Sequence, residues 1–145
     1  MFPIAYDSNR EKAEDALDQG IDLLEQGNEE EAGRYFFQSI EIDPSYADGY
    51  THLGNIAWRK GDWKQAESLY HRAVEEAEPE VKDITKGSFW SNLETRPYMR
   101  GMHGLGLTAW KQNSFEDAIE IFKRMLELNP NDNQGVRYLL GPLYD

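Results

Sequence analysis

Three histidines and no cysteine limit what this chain can do to a substrate. His52, His71 and His103 never pair at the i, i+4 spacing that brings two imidazoles to one helix face around a metal. Without a thiol there is no thiolate nucleophile, no disulfide and no sulfur-bound zinc. Carboxylate pairs such as Glu75/Glu76 and Glu116/Glu120 fall on faces expected to be hydrated, where nothing raises a pKa toward acid–base work. No serine or threonine has a base beside it. The run Gly101-Met102-His103-Gly104-Leu105-Gly106 superficially suggests a phosphate loop, but its glycines read G-x2-G-x-G and lie inside an expected helix rather than after a strand. The expectation is a protein that is not an enzyme and takes no metal and no cofactor.

What the chain does carry is a repeat. Gly20, Ala32, Phe36 and Pro44 return as Gly54, Ala66 and Tyr70, then as Gly106, Ala118, Phe122 and Pro130. Within each copy, Gly to Ala is 12 residues and Ala to aromatic is 4. The copies are offset by 34 and then by 52, which is 34 plus an 18-residue insertion. Each copy is also punctuated as two helices. Gly27-Asn28, Gly61-Asp62 and Asn113-Ser114 place a left-handed residue before an N-cap, with Glu31, Gln65 and Asp117 three residues later. Pro44 and Pro130 separate one pair from the next, and Ser45 with Asp48 reads as the cap of the following helix.

On these residues the chain resembles the tetratricopeptide repeat family, whose pattern is W-x2-L-G-x2-Y, A-x3-F and P at a 34-residue period. Copy two supplies Tyr50-x2-Leu53-Gly54-x2-Ala57 and Ala66-x3-Tyr70. Copy three supplies Met102-x2-Leu105-Gly106-x2-Ala109 and Ala118-x3-Phe122. Copy one departs most, with Ala16 and Gln19 at usually large apolar positions. The resemblance implies an all-α fold, a right-handed superhelical solenoid of about three helix-turn-helix pairs plus a C-terminal capping helix. It forms one domain over 1–145, with repeats at about 13–46, 47–80 and 99–132, an insertion at about 79–97 and a capping helix at about 133–144. Pro142 is expected to end that last helix early.

The resemblance also implies a function: first helices line a concave groove that holds a peptide. Helical spacing puts Thr51, Asn55, Trp58 and Arg59 of copy two on that face. Their copy-three counterparts are His103, Leu107, Trp110 and Lys111, with Arg100 one turn earlier; copy one gives Leu17, Ile21, Leu24 and Glu25, and the closing helix Arg137. Trp58 and Trp110 read equally as core between repeats. The expected partner is a protein or peptide with an apolar anchor and an acidic segment. Members that grip the carboxylate tail of chaperones use Lys and Asn where this chain has Leu17 and Ile21, so that clamp is not expected.

Bulk properties narrow the partner further. Net charge is −12, with 13 acidic and 3 basic side chains in residues 1–50 against 14 and 12 in the remainder. An acidic surface without a Lys/Arg-rich run repels phosphate backbones and anionic lipid, so neither nucleic acid nor membrane is expected as a partner. Nothing approaches a signal peptide or a membrane span, which makes the cytoplasm the expected location. Four Trp, eight Tyr and six Phe give the chain enough aromatic mass to fold. Phe89, Trp90 and Leu93 of the insertion either pack on the solenoid's own edge and extend it or cover the groove; a second reading is a self-associating module in which they fill the groove and Val136, Leu139, Leu140 and Leu143 make a sticky edge through which a homodimer forms.

Overall fold

The computed structural model describes residues 4–82 and 92–144, with side chains from 9–82 and 92–143. Phe89 and Trp90 of the insertion, Phe2, and the side chains of Ile4 and Tyr6 lie outside the described residues. The fold is all-α. Its α-helices are α1 (Ile4–Glu25), α2 (Glu29–Ile42), α3 (Ala47–Arg59), α4 (Trp63–Ala77), α5 (Arg96–Lys111), α6 (Phe115–Leu128) and α7 (Arg137–Tyr144). Short 3-10 turns at Glu78–Glu80 and Leu93–Thr95 flank residues 83–91. Three antiparallel pairs follow in order, α1 with α2, α3 with α4 and α5 with α6, and α7 packs on α6.

The turns inside the pairs follow their chemistry. Gly27, Gly61 and Asn113 take φ of 81°, 78° and 65°, the left-handed conformation that ends a helix with its last carbonyls satisfied. Asn28 Oδ1 then accepts from the Glu31 amide, and Asp62 Oδ1 from that of Gln65; Ser114 takes the N-cap position of α6 but makes no side-chain capping bond. The cap expected at Ser45 is absent. Tyr46 holds the N-cap position of α3 without a side-chain bond, because Ser45 is drawn back to Asp43, which accepts from both its amide and its hydroxyl.

Each pair is centred on one aromatic under one glycine. Phe36, Tyr70 and Phe122 are at most 3% exposed. A Cβ on Gly20 would lie 2.5 Å from the Phe36 ring, one on Gly54 2.8 Å from Tyr70, and one on Gly106 would meet Phe122. Missing Cβ atoms therefore let each first helix settle onto its partner's ring, and truncating such a ring costs about 3–5 kcal/mol.

The junctions between pairs are unequal. α5 sits close on α4, since Gly101 faces Val74 and Ala73 while Gly104 faces Tyr70, and α5 also packs along α3. At the first junction the contact between α2 and α3 is sparser, and α1 meets α3 at most marginally. There Phe37, Ile40, Leu53, Ile56 and Leu69 border a cavity of about 380 Å³, and Phe37 is 53% exposed.

The last helix starts later than expected and is not cut short by its proline. It begins at Arg137, after a turn in which Asp132 and Gly135 take positive φ and the Asp132 carboxylate accepts from the Val136 and Arg137 amides. Pro142 does not end it: α7 runs through to Tyr144. The carbonyl that Pro142 leaves without a donor belongs to Tyr138, a residue 82% exposed, so it costs little there.

Candidate functional site

Nine of the ten expected groove residues lie on α3 and α5, which pack side by side, and Arg137 opens α7. Tyr70 builds the floor between those two helices. Gly54 of α3 and Gly104 of α5 both approach its ring closely, and its hydroxyl donates to Asn55 Oδ1. Burial pushes the Tyr70 pKa up to about 12, against a smaller opposing pull from Arg59. Asn55 is half-buried, and among the described residues its amide nitrogen has no partner.

Trp58 lies half-buried one turn further on, edge-to-face with Trp63 at 5.5 Å between ring centroids. Among the described residues its indole N–H is buried without a partner, as is the hydroxyl of Thr51, a residue only 3% exposed. Lys111 reaches back from α5, its Nζ 5.5 Å from the Trp58 centroid and 5.9 Å from that of Trp63, within cation–π range.

The other cations are also engaged within the chain. Arg100 donates to both carboxylate oxygens of Asp48 on α3, at 3.1 and 2.9 Å. Arg59 Nε reaches Glu29 at 3.0 Å. Arg137 bonds the Pro130 carbonyl at 3.0 Å and lies 3.4 Å from Asp132. No carboxylate-binding cation is left idle among Arg59, Arg100, Lys111 and Arg137.

His103 is half-buried on α5, where burial lowers its pKa against the opposing charge of Asp132. Leu107 and Trp110 are half-buried against the core around Phe122 and Met125, so Trp110 contributes packing as well as surface. Among the described residues no three His, Asp or Glu side chains converge as metal ligands, and no helix is long and apolar enough to cross a membrane.

Sequence reasoning missed Tyr70, Asp48 and Gly104. A signal for Tyr70 existed. Copies one and three pair Phe36 with Ile21 and Phe122 with Leu107, whereas copy two pairs Tyr70 with Asn55 at the same two positions. Polar meets polar only there.

Family models of the tetratricopeptide repeat match residues 17–81 and 100–132. Among curated proteins, the type IV pilus assembly protein PilF of Pseudomonas aeruginosa is 26% identical over 153 residues, covering 89% of this chain and 59% of PilF. The chain thus spans less than two thirds of that relative. Among solved structures, the N-terminal domain of stress-induced protein-1 from C. elegans has a TM-score of 0.71 at 21% identity, over 94% of this chain and 98% of that one. The first TPR of Spaghetti (RPAP3), bound to the HSP90 peptide SRMEEVD, has a TM-score of 0.69 at 21% identity, over 93% and 98%. The Arabidopsis OM64 TPR domain has a TM-score of 0.71 at 15% identity, over 94% and 97%. At these identities the likeness is one of fold.

Proposed function

Since this chain belongs to the tetratricopeptide repeat family, we propose that it is a non-catalytic adaptor holding an extended protein segment or peptide against its first helices. The observation that carries this reading is Asn55, half-buried on α3 with its oxygen engaged by Tyr70 and its amide nitrogen unpartnered among the described residues. A polar group of this kind, one turn from the half-buried Trp58, is what a site needs to fix a ligand's orientation while apolar surface supplies affinity. The similar fold of RPAP3 holds an HSP90 peptide. The positions where carboxylate-gripping members carry Lys and Asn hold Leu17, buried in the core of the first pair, and Ile21, packed against that core, so the amino-terminal end offers no clamp for a terminal carboxylate. An acidic stretch in the partner would compete with Asp48, Glu29 and Asp132 for cations already engaged.

The test is affinity capture from source cells with the wild type, Asn55→Ala and Trp58→Ala, recovered proteins being identified by mass spectrometry. We expect both variants to keep wild-type helicity and to lose the same partner. Equal recovery by all three counts against the groove. A second reading, self-association through α7, loses the expected edge, since Val136 and Leu140 are buried in the core and Leu139 and Leu143 pack against it, and draws its support instead from Tyr138, which is 82% exposed. A mass that halves on dilution in light scattering, and no longer does so in Tyr138→Asp, would favour it.

A further inference from the structure

We infer that the corner between Trp58 and Trp63 is a binding site for a basic side chain of a partner protein, an arginine guanidinium, and that the chain's own Lys111 fills it until that partner arrives. Trp58 belongs to the groove proposed above, so this site rests on that reading and names one chemical feature of the partner.

Both walls of the corner are anchored. Trp58 sits in the last turn of α3 and packs against the cluster of Ala57, Ala66, Tyr70 and Leu105, while Trp63 opens α4 directly after the Asp62 cap, whose carboxylate accepts from the Gln65 amide. The ring planes meet at 69°. Such a corner offers two electron-rich faces to one cation, and Lys111 Nζ lies over both, 5.5 and 5.9 Å from the centroids. Residues 59–67 carry three basic side chains, Arg59, Lys60 and Lys64, against two acidic ones, Asp62 and Glu67. No local surplus of carboxylate therefore draws Lys111; the rings do.

The present occupant is a poor match for the walls. An ammonium is a compact, strongly hydrated charge, and Lys111 stays exposed, so its hydration competes with the rings. A guanidinium is planar and weakly hydrated; it can lie flat on one indole while its edge meets the other, exchanging less water for more contact. The chain supplies its own comparison. Arg72 places its guanidinium carbon 4.9 Å from the Tyr50 centroid and Arg10 5.1 Å from that of Tyr46, whereas the two-indole corner is left to a lysine whose ammonium stands further off. Lys111 holds its place by proximity, and arginine displaces it by fit. The net charge of −12 draws a basic segment and repels an acidic one, and Arg59, Arg100 and Arg137 are each bound to a carboxylate of the chain already.

The test follows the indole N–H resonances of Trp58 and Trp63 in the full chain while N-acetylargininamide, or its neutral counterpart N-acetylcitrullinamide, is added. In Lys111→Ser the arginine compound should shift both resonances saturably, with a dissociation constant about twofold to fivefold below the wild-type value. The citrulline compound should bind at least about twofold more weakly. Lys12→Ser, which removes the same charge from α1, should leave the wild-type affinity unchanged. Equal gains in Lys111→Ser and Lys12→Ser, equal binding of the two compounds, or shifts that spare the two indoles overturn the inference. Trp63 lies on α4, outside the first helices, and so separates this site from the groove. A captured partner lost on both Trp58→Ala and Trp63→Leu, with backbone resonances retained, is the expected result. One lost on Trp58→Ala but fully kept by Trp63→Leu sinks the arginine site and leaves the groove standing, and one kept by both variants counts against the groove and this site together. Should Trp63→Leu disturb the fold, the comparison of Lys111→Ser with Lys12→Ser decides.

Discussion

Arg100 on α5 and Asp48 on α3 form a two-pronged ion pair, 3.1 and 2.9 Å, across the seam between the second and third first-helices. Arg100 is partly exposed and Asp48 mostly covered, at 43% and 14%. The pair should therefore contribute about 0.5–1 kcal/mol, less in high salt. A urea-melt cycle of Arg100→Ala, Asp48→Asn and the double variant measures this; zero coupling would remove the pair from the account. Arg100→Glu should cost more than Arg100→Ala, since it sets two carboxylates against each other.

Gly104→Ala should destabilise the fold by about 1–3 kcal/mol, because the added carbon meets the ring of Tyr70, a buried residue that Gly54 also approaches closely. The double variant Gly104→Ala, Tyr70→Leu should recover part of that loss. Thermal melts of the two, compared with Tyr70→Leu alone, separate crowding from lost packing.

Alkaline pH should weaken the fold through the same ring. Tyr70 has a folded pKa raised by burial to about 12 from 10.0. Its neutral form is favoured by folding, so its contribution is complete below pH 10 and is lost as pH rises toward 12. Tyr70→Phe should flatten this limb of a stability–pH curve, leaving the shares owed to Tyr46, Tyr50 and Tyr98, whose pKa values burial also raises.

His103 acts at the other end. Its folded pKa is lowered from 6.5, chiefly by burial. Stability from its neutral form is present above pH 6.5 and drains as pH falls through the lower folded value. His103→Gln should be less stable than wild type at pH 8 by a margin that narrows toward pH 5, measured by urea melts at each pH.

The helical pairs were legible because their signals are local: a left-handed Gly27 or Gly61, a cap three residues before Glu31 or Gln65, and a glycine sixteen residues before the ring that covers it. The engagement of the groove was not. Arg100 meets a residue 52 positions away and Arg59 one 30 away, distances at which helical spacing gives the face of a side chain but not its partner. Gly104 escaped for a similar reason, since the ring it makes room for belongs to the preceding pair. Ser45 misled because two orders of bonding competed for one hydroxyl, and Asp43 won.

The uneven stacking of the three pairs gives the molecule an order of coming apart. In a row where each unit leans only on its neighbours, the weakest seam yields first. That seam is the one beside Leu53 and Ile56, where α1 scarcely meets α3. Amide protons of α1 and α2 should exchange with deuterium before those of α3 to α6, so that the leading hairpin detaches as a unit from a trailing block that melts as one.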